Sequence, residues 1–477
     1  DSALVENILP KKYKVEITLF LLAFGLRVIF LILMRLKTGN DFSDFVLKGD
    51  ALSYYNMAFN LKYFFSLHIL DAPFFSDALL RTPGYPLFLA AIFSLFKKSI
   101  VAVMLIQALL SGLTAILIYK ISNLANFHKL VGLSSAILFS MEPMSIITSN
   151  SILTETLFLF FFLLFFYLLI SGLVRGGLNG KRIFLLGTII GLSVLIRPVL
   201  YPYSVILVLF LLSYLYFYRK IRWANLVKML VFFAVGIYLL VFPWILRNKI
   251  VFNSWSVSSI SGVHLFYSYA IPFYAYKHKI PDKDIVSEQF SKKMSPYIAG
   301  DKYDLRNNPV YYKFAKEIIS DDPLGYAFFH ITNTISFFMS NGYRNVGREL
   351  GFSFSTPSVN FSFIRLLLSG NIKSLLDFLK HNTSYLATFI AGALVWLLIS
   401  VFMIAGVVKG LFLEKDRIRK FFILFFAVSI AYFALTAGPE AYYKMRFPVN
   451  PLIFILAFYG LFSLSSYLFH KSNKLHE

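Results

Sequence analysis

Uninterrupted apolar runs of about 20 residues recur along this chain, and no other feature limits its folding so severely. Lipid offers no partner to a backbone N–H or C=O, so such a run must close its own hydrogen bonds as a helix. At 1.5 Å per residue, about 20 residues cross a hydrocarbon layer of ~30 Å. The runs fall at roughly 17–36, 99–119, 130–148, 152–172, 183–200, 203–218, 229–247, 386–408, 420–437 and 447–468. They predict an all-α polytopic membrane protein of about ten spans, or eleven to thirteen if further segments enter the bilayer. The run Ile17–Leu36 follows the basic stretch Lys11–Lys14, as in a signal peptide. Its length and the lack of a small-residue cleavage site mark it instead as the first membrane helix.

The net charge of +22 would suggest nucleic acid in a soluble chain. Here topology accounts for much of it, because cytoplasmic loops collect Lys and Arg. The short basic connections are Lys120/Lys129, Arg175/Lys181/Arg182, Arg219/Lys220/Arg222/Lys228 and the cluster Lys409–Lys420. Placing them all inside gives an even number of spans, with both ends inside and no role for nucleic acid. Two long segments then lie outside. The first, 37–98, is amphipathic around Asp50–Phe65 and Pro83–Phe96 and reads as interfacial helices. The second, 248–385, reads as a small helical extramembrane domain in which Leu324–Ser340 lies at the interface. The expected organisation is a membrane module 1–247 with its outer loop 37–98, the outer domain 248–385, and C-terminal spans 386–477. The absence of cysteine removes disulfides, thiol catalysis and thiolate metal sites.

Charge at the ends of membrane helices is costly without a role, so those positions carry the functional signal. Asp50 opens an amphipathic helix that places Asp50, Tyr54 and Met57 on one face; read alone, it is equally well an N-cap. Glu155 precedes an unbroken apolar run and either faces a cavity, a cation or a metal or, as a plain helix-start acid, snorkels to the surface; Glu142, before Pro143, is a weaker candidate. Arg197 follows Arg182 by 15 residues, or roughly 22 Å of helix, which carries it to the outer boundary. Arg81, Arg247 and Arg446 fall on the same side. One interfacial arginine is usually an anchor, whereas several on the face that should be poor in them suggest a phosphate site.

These residues sit in motifs that resemble the bacterial membrane glycosyltransferases related to protein O-mannosyltransferases and the lipid A aminoarabinose transferase (glycosyltransferase family 39). In order they are GDALSYYNMA, RTPGYPLFLAAIFSLF, SNSILTETLF, GLSVLIRP, FPWILRNKIVFNSWSVSSISGVHLFYS, NPVYYKFAKEIISDDPLGY and MRFPVNPLIFILAFYG, and the likeness extends from about residue 17 to 468. The resemblance implies a GT-C fold, a polyprenyl-phosphate sugar donor and inversion at the anomeric carbon. It implies that Asp50 is the acid that acts as base or orients the acceptor, and that Glu155 is a second acid near the reaction centre. Arg81, Arg197, Arg247 and Arg446 are then expected on the carrier-phosphate side, with Tyr54, Tyr55, Asn248 and Lys444 lining the substrate pocket. Members of the architecture differ in metal use, and Glu155 is the candidate ligand for a divalent ion. The mannosyltransferases carry adjacent acids in the first loop, whereas Ala51 follows Asp50 here, which argues against protein O-mannosylation.

The expectation is an inverting transferase in a bacterial inner membrane. It moves a monosaccharide from its lipid carrier to a hydroxyl of a cell-envelope glycan, lipid or protein on the extracytoplasmic side. A flippase for lipid-linked sugars, or a polysaccharide polymerase, would need a similar inventory. A transporter, however, should carry polar or broken helices across the midplane, and the mid-helix residues here are mainly apolar.

Overall fold

A computed structural model describes residues 13–61, 65, 79–343, 345 and 383–475, and all regular structure among them is helical. The principal helices are α1 (Lys14–Thr38), α2 (Asp50–Phe59), α3 (Gly84–Leu95), α4 (Ile100–Leu124), α5 (Lys129–Met141), α6 (Pro143–Ser149), α7 (Glu155–Arg175) and α8 (Gly180–Ile196). They continue as α9 (Leu200–Phe217), α10 (Trp223–Phe252), α11 (Lys283–Met294), α12 (Asn308–Ser320), α13 (Pro323–Met339), α14 (Thr383–Val408), α15 (Arg417–Ala437) and α16 (Asn450–Leu475).

Eight helices among the described residues are long and apolar enough to cross a membrane, or nine if the bent pair α5–α6 is one span. The expected span 183–200 is α8, which at 17 residues falls just short of that length. The expected span 130–148 is broken by 59° where Pro143 opens α6, since proline cannot donate to the preceding turn. Helix α13, expected to lie at the interface, is not among the helices apolar enough to cross. Part of the segment 248–385 lies outside the described residues.

Packing explains the phenylalanine content. Phe158, Phe162 and Phe166 repeat at i, i+4 along α7 and are buried. Phe162 meets Phe433 edge-on and Phe166 stacks on Phe425, so aromatic rings knit α7 to α15. Helices α8 and α10 pair along their length, as do α14 and α16, while α4 packs against α1, α5 and α7. A second, smaller apolar core centres on Phe266, Tyr311 and Phe314, between Val263 and Phe329.

The basic connections gather at one end of the bundle. Arg219 after α9 donates to the Leu173 and Val174 carbonyls of α7, Arg419 donates to the Asn126 carbonyl, and the Tyr218 hydroxyl donates to the Arg417 carbonyl. The start of α7 and the end of α8 therefore lie at the opposite end. There Asp50, Arg81, Glu155 and Arg197 are found.

Candidate active site

Local backbone rules place each charged side chain. Gly49 takes φ +54° and ψ −124°, a region that favours glycine, so the chain turns sharply and α2 begins at Asp50. Glu155 is the first residue of α7, where the positive end of the helix dipole suits a carboxylate. Arg197 precedes Pro198, which disfavours the helical conformation of the residue before it. Arg197 is accordingly extended, with φ −141° and ψ 113°, and leaves the axis of α8. Gly84, in the turn that carries Arg81, lies so close to the end of α8 that a Cβ would stand 2.7 Å from the Leu195 carbonyl oxygen. That close approach brings Arg81 and Arg197 into one site.

Two ion pairs result. Asp50 Oδ1 lies 2.6 Å from Arg81 Nη2, with the Asp50 side chain 58% exposed. Glu155 Oε1 lies 3.0 Å from Arg197 Nη1, with the Glu155 side chain only 8% exposed. Tyr54 stands among all four. Its hydroxyl accepts from Arg81 Nη1 at 3.3 Å, its ring carries the Arg81 guanidinium at 4.7 Å, and it is within electrostatic reach of Asp50, Glu155 and Arg197. Burial raises the Tyr54 hydroxyl above its ordinary value, with Arg81 acting in opposition, so it remains a neutral phenol.

The wall behind this site is polar and tied together. Tyr85 donates to Gln107 Oε1 at 2.9 Å, and Gln107 Nε2 donates to the Ser149 and Ser151 carbonyls at 3.0 and 2.8 Å. This buried chain joins the start of α3 to the loop just before Glu155. Tyr442 is within electrostatic reach of Glu155 and Arg197. Beside Arg81, a cavity of about 330 Å³ is lined by Leu80, His264, Tyr267, Lys302 and Glu440, among others. His264 Nδ1 is 3.5 Å from Glu440 Oε2. Burial holds the imidazole below its ordinary value; Glu440 opposes that shift and Arg81 adds to it. Gln107, Tyr85, Tyr442 and the His264–Glu440 pair were not anticipated. Only Gln107 carried a readable signal, as an amide inside an apolar span.

The remaining predicted residues are placed elsewhere or occupied. Arg446 was expected on the carrier phosphate, but it is 1% exposed. Its guanidinium donates to Asn450 and to the Phe337 and Ser340 carbonyls, and lies 3.3 Å above the Trp396 ring. Each of its three nitrogens makes a hydrogen bond, so it clamps the end of α13. Arg247 stacks on Trp244 and Phe252 and donates to Asn248 Oδ1. Asn248, expected in the substrate pocket, is 1% exposed and donates to the Ser256 and Val257 carbonyls, holding the strand of chain that follows α10. Tyr55 packs on Phe59 and Phe93 as part of the core. Lys444 is half-buried and has no ion pair among the described residues. Glu155 does not fit a divalent ion: its neighbour is a guanidinium, and no group of three or more His, Asp or Glu side chains among the described residues is placed to hold a metal.

Residues 80–246 match the family model described as dolichyl-phosphate-mannose-protein mannosyltransferase. No curated protein matches the chain. Among solved structures, the apo oligosaccharyltransferase of Archaeoglobus fulgidus is 14% identical, with a TM-score of 0.47 over 98% of this chain and 52% of that one. The same archaeal enzyme, in complex with an inhibitory peptide and a dolichol-phosphate, is 14% identical with a TM-score of 0.43 over 95% of this chain and 52% of that one. This chain thus spans about half the length of the solved structures it matches. Over residues 80–246, which hold Arg81, Glu155 and Arg197, the chain resembles the protein mannosyltransferase group of membrane glycosyltransferases.

Proposed function

We propose that this protein transfers a monosaccharide from a polyprenyl-phosphate carrier to an acceptor hydroxyl, with inversion at the anomeric carbon. The observation that carries this reading is the meeting of both acid–arginine pairs around Tyr54 at one end of the bundle. The family description over residues 80–246 names a lipid-phosphate sugar, which supports that class of donor. The gathering of the basic connections at the opposite end supports an extracytoplasmic site in a bacterial inner membrane.

In this reading the half-exposed Asp50 carboxylate, steadied by Arg81, takes the proton of the acceptor hydroxyl. The hydroxyl oxygen forms the new bond to the anomeric carbon as the bond from that carbon to the phosphate oxygen breaks. The electron pair leaves with the phosphate, which departs as polyprenyl phosphate. Arg197, held in place by the buried Glu155, faces the charge that grows on the leaving group. A single displacement inverts the centre. The His264–Glu440 cavity beside Arg81 has the position of an acceptor entrance.

The test is to reconstitute the protein in vesicles with a polyprenyl-phosphate monosaccharide and envelope glycans, and to measure free polyprenyl phosphate. The wild type should release the carrier. Asp50→Asn should lower the rate about 10²–10⁴-fold with donor binding retained. Movement of intact donor between leaflets without carrier release would overturn the proposal in favour of a flippase.

A further inference from the structure

At the end of the bundle remote from Asp50, a cavity of about 420 Å³ is lined by Gly180, Arg219, Lys220, Arg222, Lys228 and Phe232, among others, and by no acidic residue. Arg219 spends its guanidinium on the α7 carbonyls. Lys220, Arg222 and Lys228 are exposed and have no hydrogen-bond or ion-pair partner among the described residues. Three unpaired cations and one anchored arginine around one hollow concentrate positive charge, and each neighbour raises the electrostatic cost of the rest unless an anion enters.

The surroundings say which anion. Trp223, Phe217 and Tyr216 flank the cavity at 67%, 70% and 55% exposure, the aromatic girdle expected where a membrane helix meets the headgroups. From the cavity, Val227, Val231, Val235 and Leu239 run down one side of α10 at four-residue intervals, each 42–56% exposed. Phe232 belongs to both surfaces: it lines the cavity and is 47% exposed. A charged hollow at headgroup depth thus continues into an apolar stripe directed along the bilayer interior.

We propose that this is a binding site for an anionic glycerophospholipid. The phosphate sits among Lys220, Arg222 and Lys228, and an acyl chain lies along Val227–Leu239. Basic loops on this side would gather anionic lipid diffusely in any case. The inference is narrower: one lipid is held at one place, by headgroup and chain together, independently of any transfer reaction.

The experiment uses the full chain purified in a neutral detergent, with phosphatidylglycerol or phosphatidylcholine titrated in and bound lipid counted by native mass spectrometry. Phosphatidylglycerol should be retained at one copy per chain, at least about tenfold more tightly than phosphatidylcholine. Arg222→Ala/Lys228→Ala should abolish that preference. Neither side chain has a hydrogen-bond or ion-pair partner among the described residues, so folding should be kept. Val231→Asp should weaken binding while leaving the cations intact. As a charge control, Lys129→Gln/Lys415→Gln removes two exposed cations from the same end and should leave binding unchanged. Equal retention of the two lipids would overturn the proposal. So would equal loss in the control variant, or a competition in which inorganic phosphate alone displaces the lipid completely.

Discussion

Two of the acid–arginine clusters in this molecule, one around Tyr54 and one around the break between α5 and α6, differ less in composition than in what is left over after pairing. Around Tyr54, Asp50 and Glu155 face Arg81 and Arg197, the outer acid is more than half exposed, and a polar cavity adjoins it. Around the break between α5 and α6, Glu142 lies within electrostatic reach of Arg27 and Arg446, and all three are at least 97% buried. Arg27 donates to the Ala23, Ser140 and Phe139 carbonyls and to Ser145 Oγ, while Glu142 accepts from the Ser145 amide. The second cluster satisfies backbone groups freed where Pro143 breaks the helix; the first leaves the Asp50 carboxylate more than half exposed. Residue type alone does not separate a site from a clamp. The distinction is whether the donors are already spent.

The comparison can be broken by substitution. Besides Asp50→Asn, the largest effect on turnover should come from Glu155→Gln, which leaves Arg197 without its counter-charge. The rate of the protein that folds should fall about 10²–10³-fold in the carrier-release assay. Arg446→Ala should do the reverse. Removing it leaves the Phe337 and Ser340 carbonyls and Asn450 Oδ1 without their donor and takes one of two cations away from Glu142, at a cost of about 3–5 kcal/mol of stability, read by thermal unfolding. The protein that does fold should turn over within a few-fold of wild type. Equal damage to activity in correctly folded Arg446→Ala would erase the distinction between the clusters. Tyr54→Phe removes one hydrogen bond to Arg81 and should slow transfer by about tenfold or less.

The smallest effect concerns pH. Because burial holds His264 below its ordinary value of 6.5, the unfolded chain binds the proton first as pH falls. Stability should therefore rise with pH up to about 6.5 and level off above it. His264→Gln should flatten that slope in melting curves taken from pH 5 to 8.

Much of this was legible along the chain. Apolar runs announced the helices because lipid forces the backbone to satisfy itself, and the basic connections identified one end of the bundle. The expected amphipathic stretches near Asp50 and Pro83 are α2 and α3, since a 3.6-residue period survives in any setting that is half buried. Proline after Arg197 and glycine before Asp50 marked where two helices stop and start. The kink at Pro143 falls inside the expected span 130–148, where the proline itself is its signal.

What the sequence determined by itself was therefore one-dimensional: which segments enter the bilayer, where helices end, and which charges stand at those ends. Only tertiary structure decided that Arg81 reaches Asp50 across 31 positions, that Arg197 rather than Arg446 joins the acids, and that Asn248 holds its own loop. The reason is physical. Helix formation depends on neighbours a few positions away, whereas the state of a buried guanidinium depends on carbonyls more than a hundred residues distant, as Phe337 and Ser340 are from Arg446.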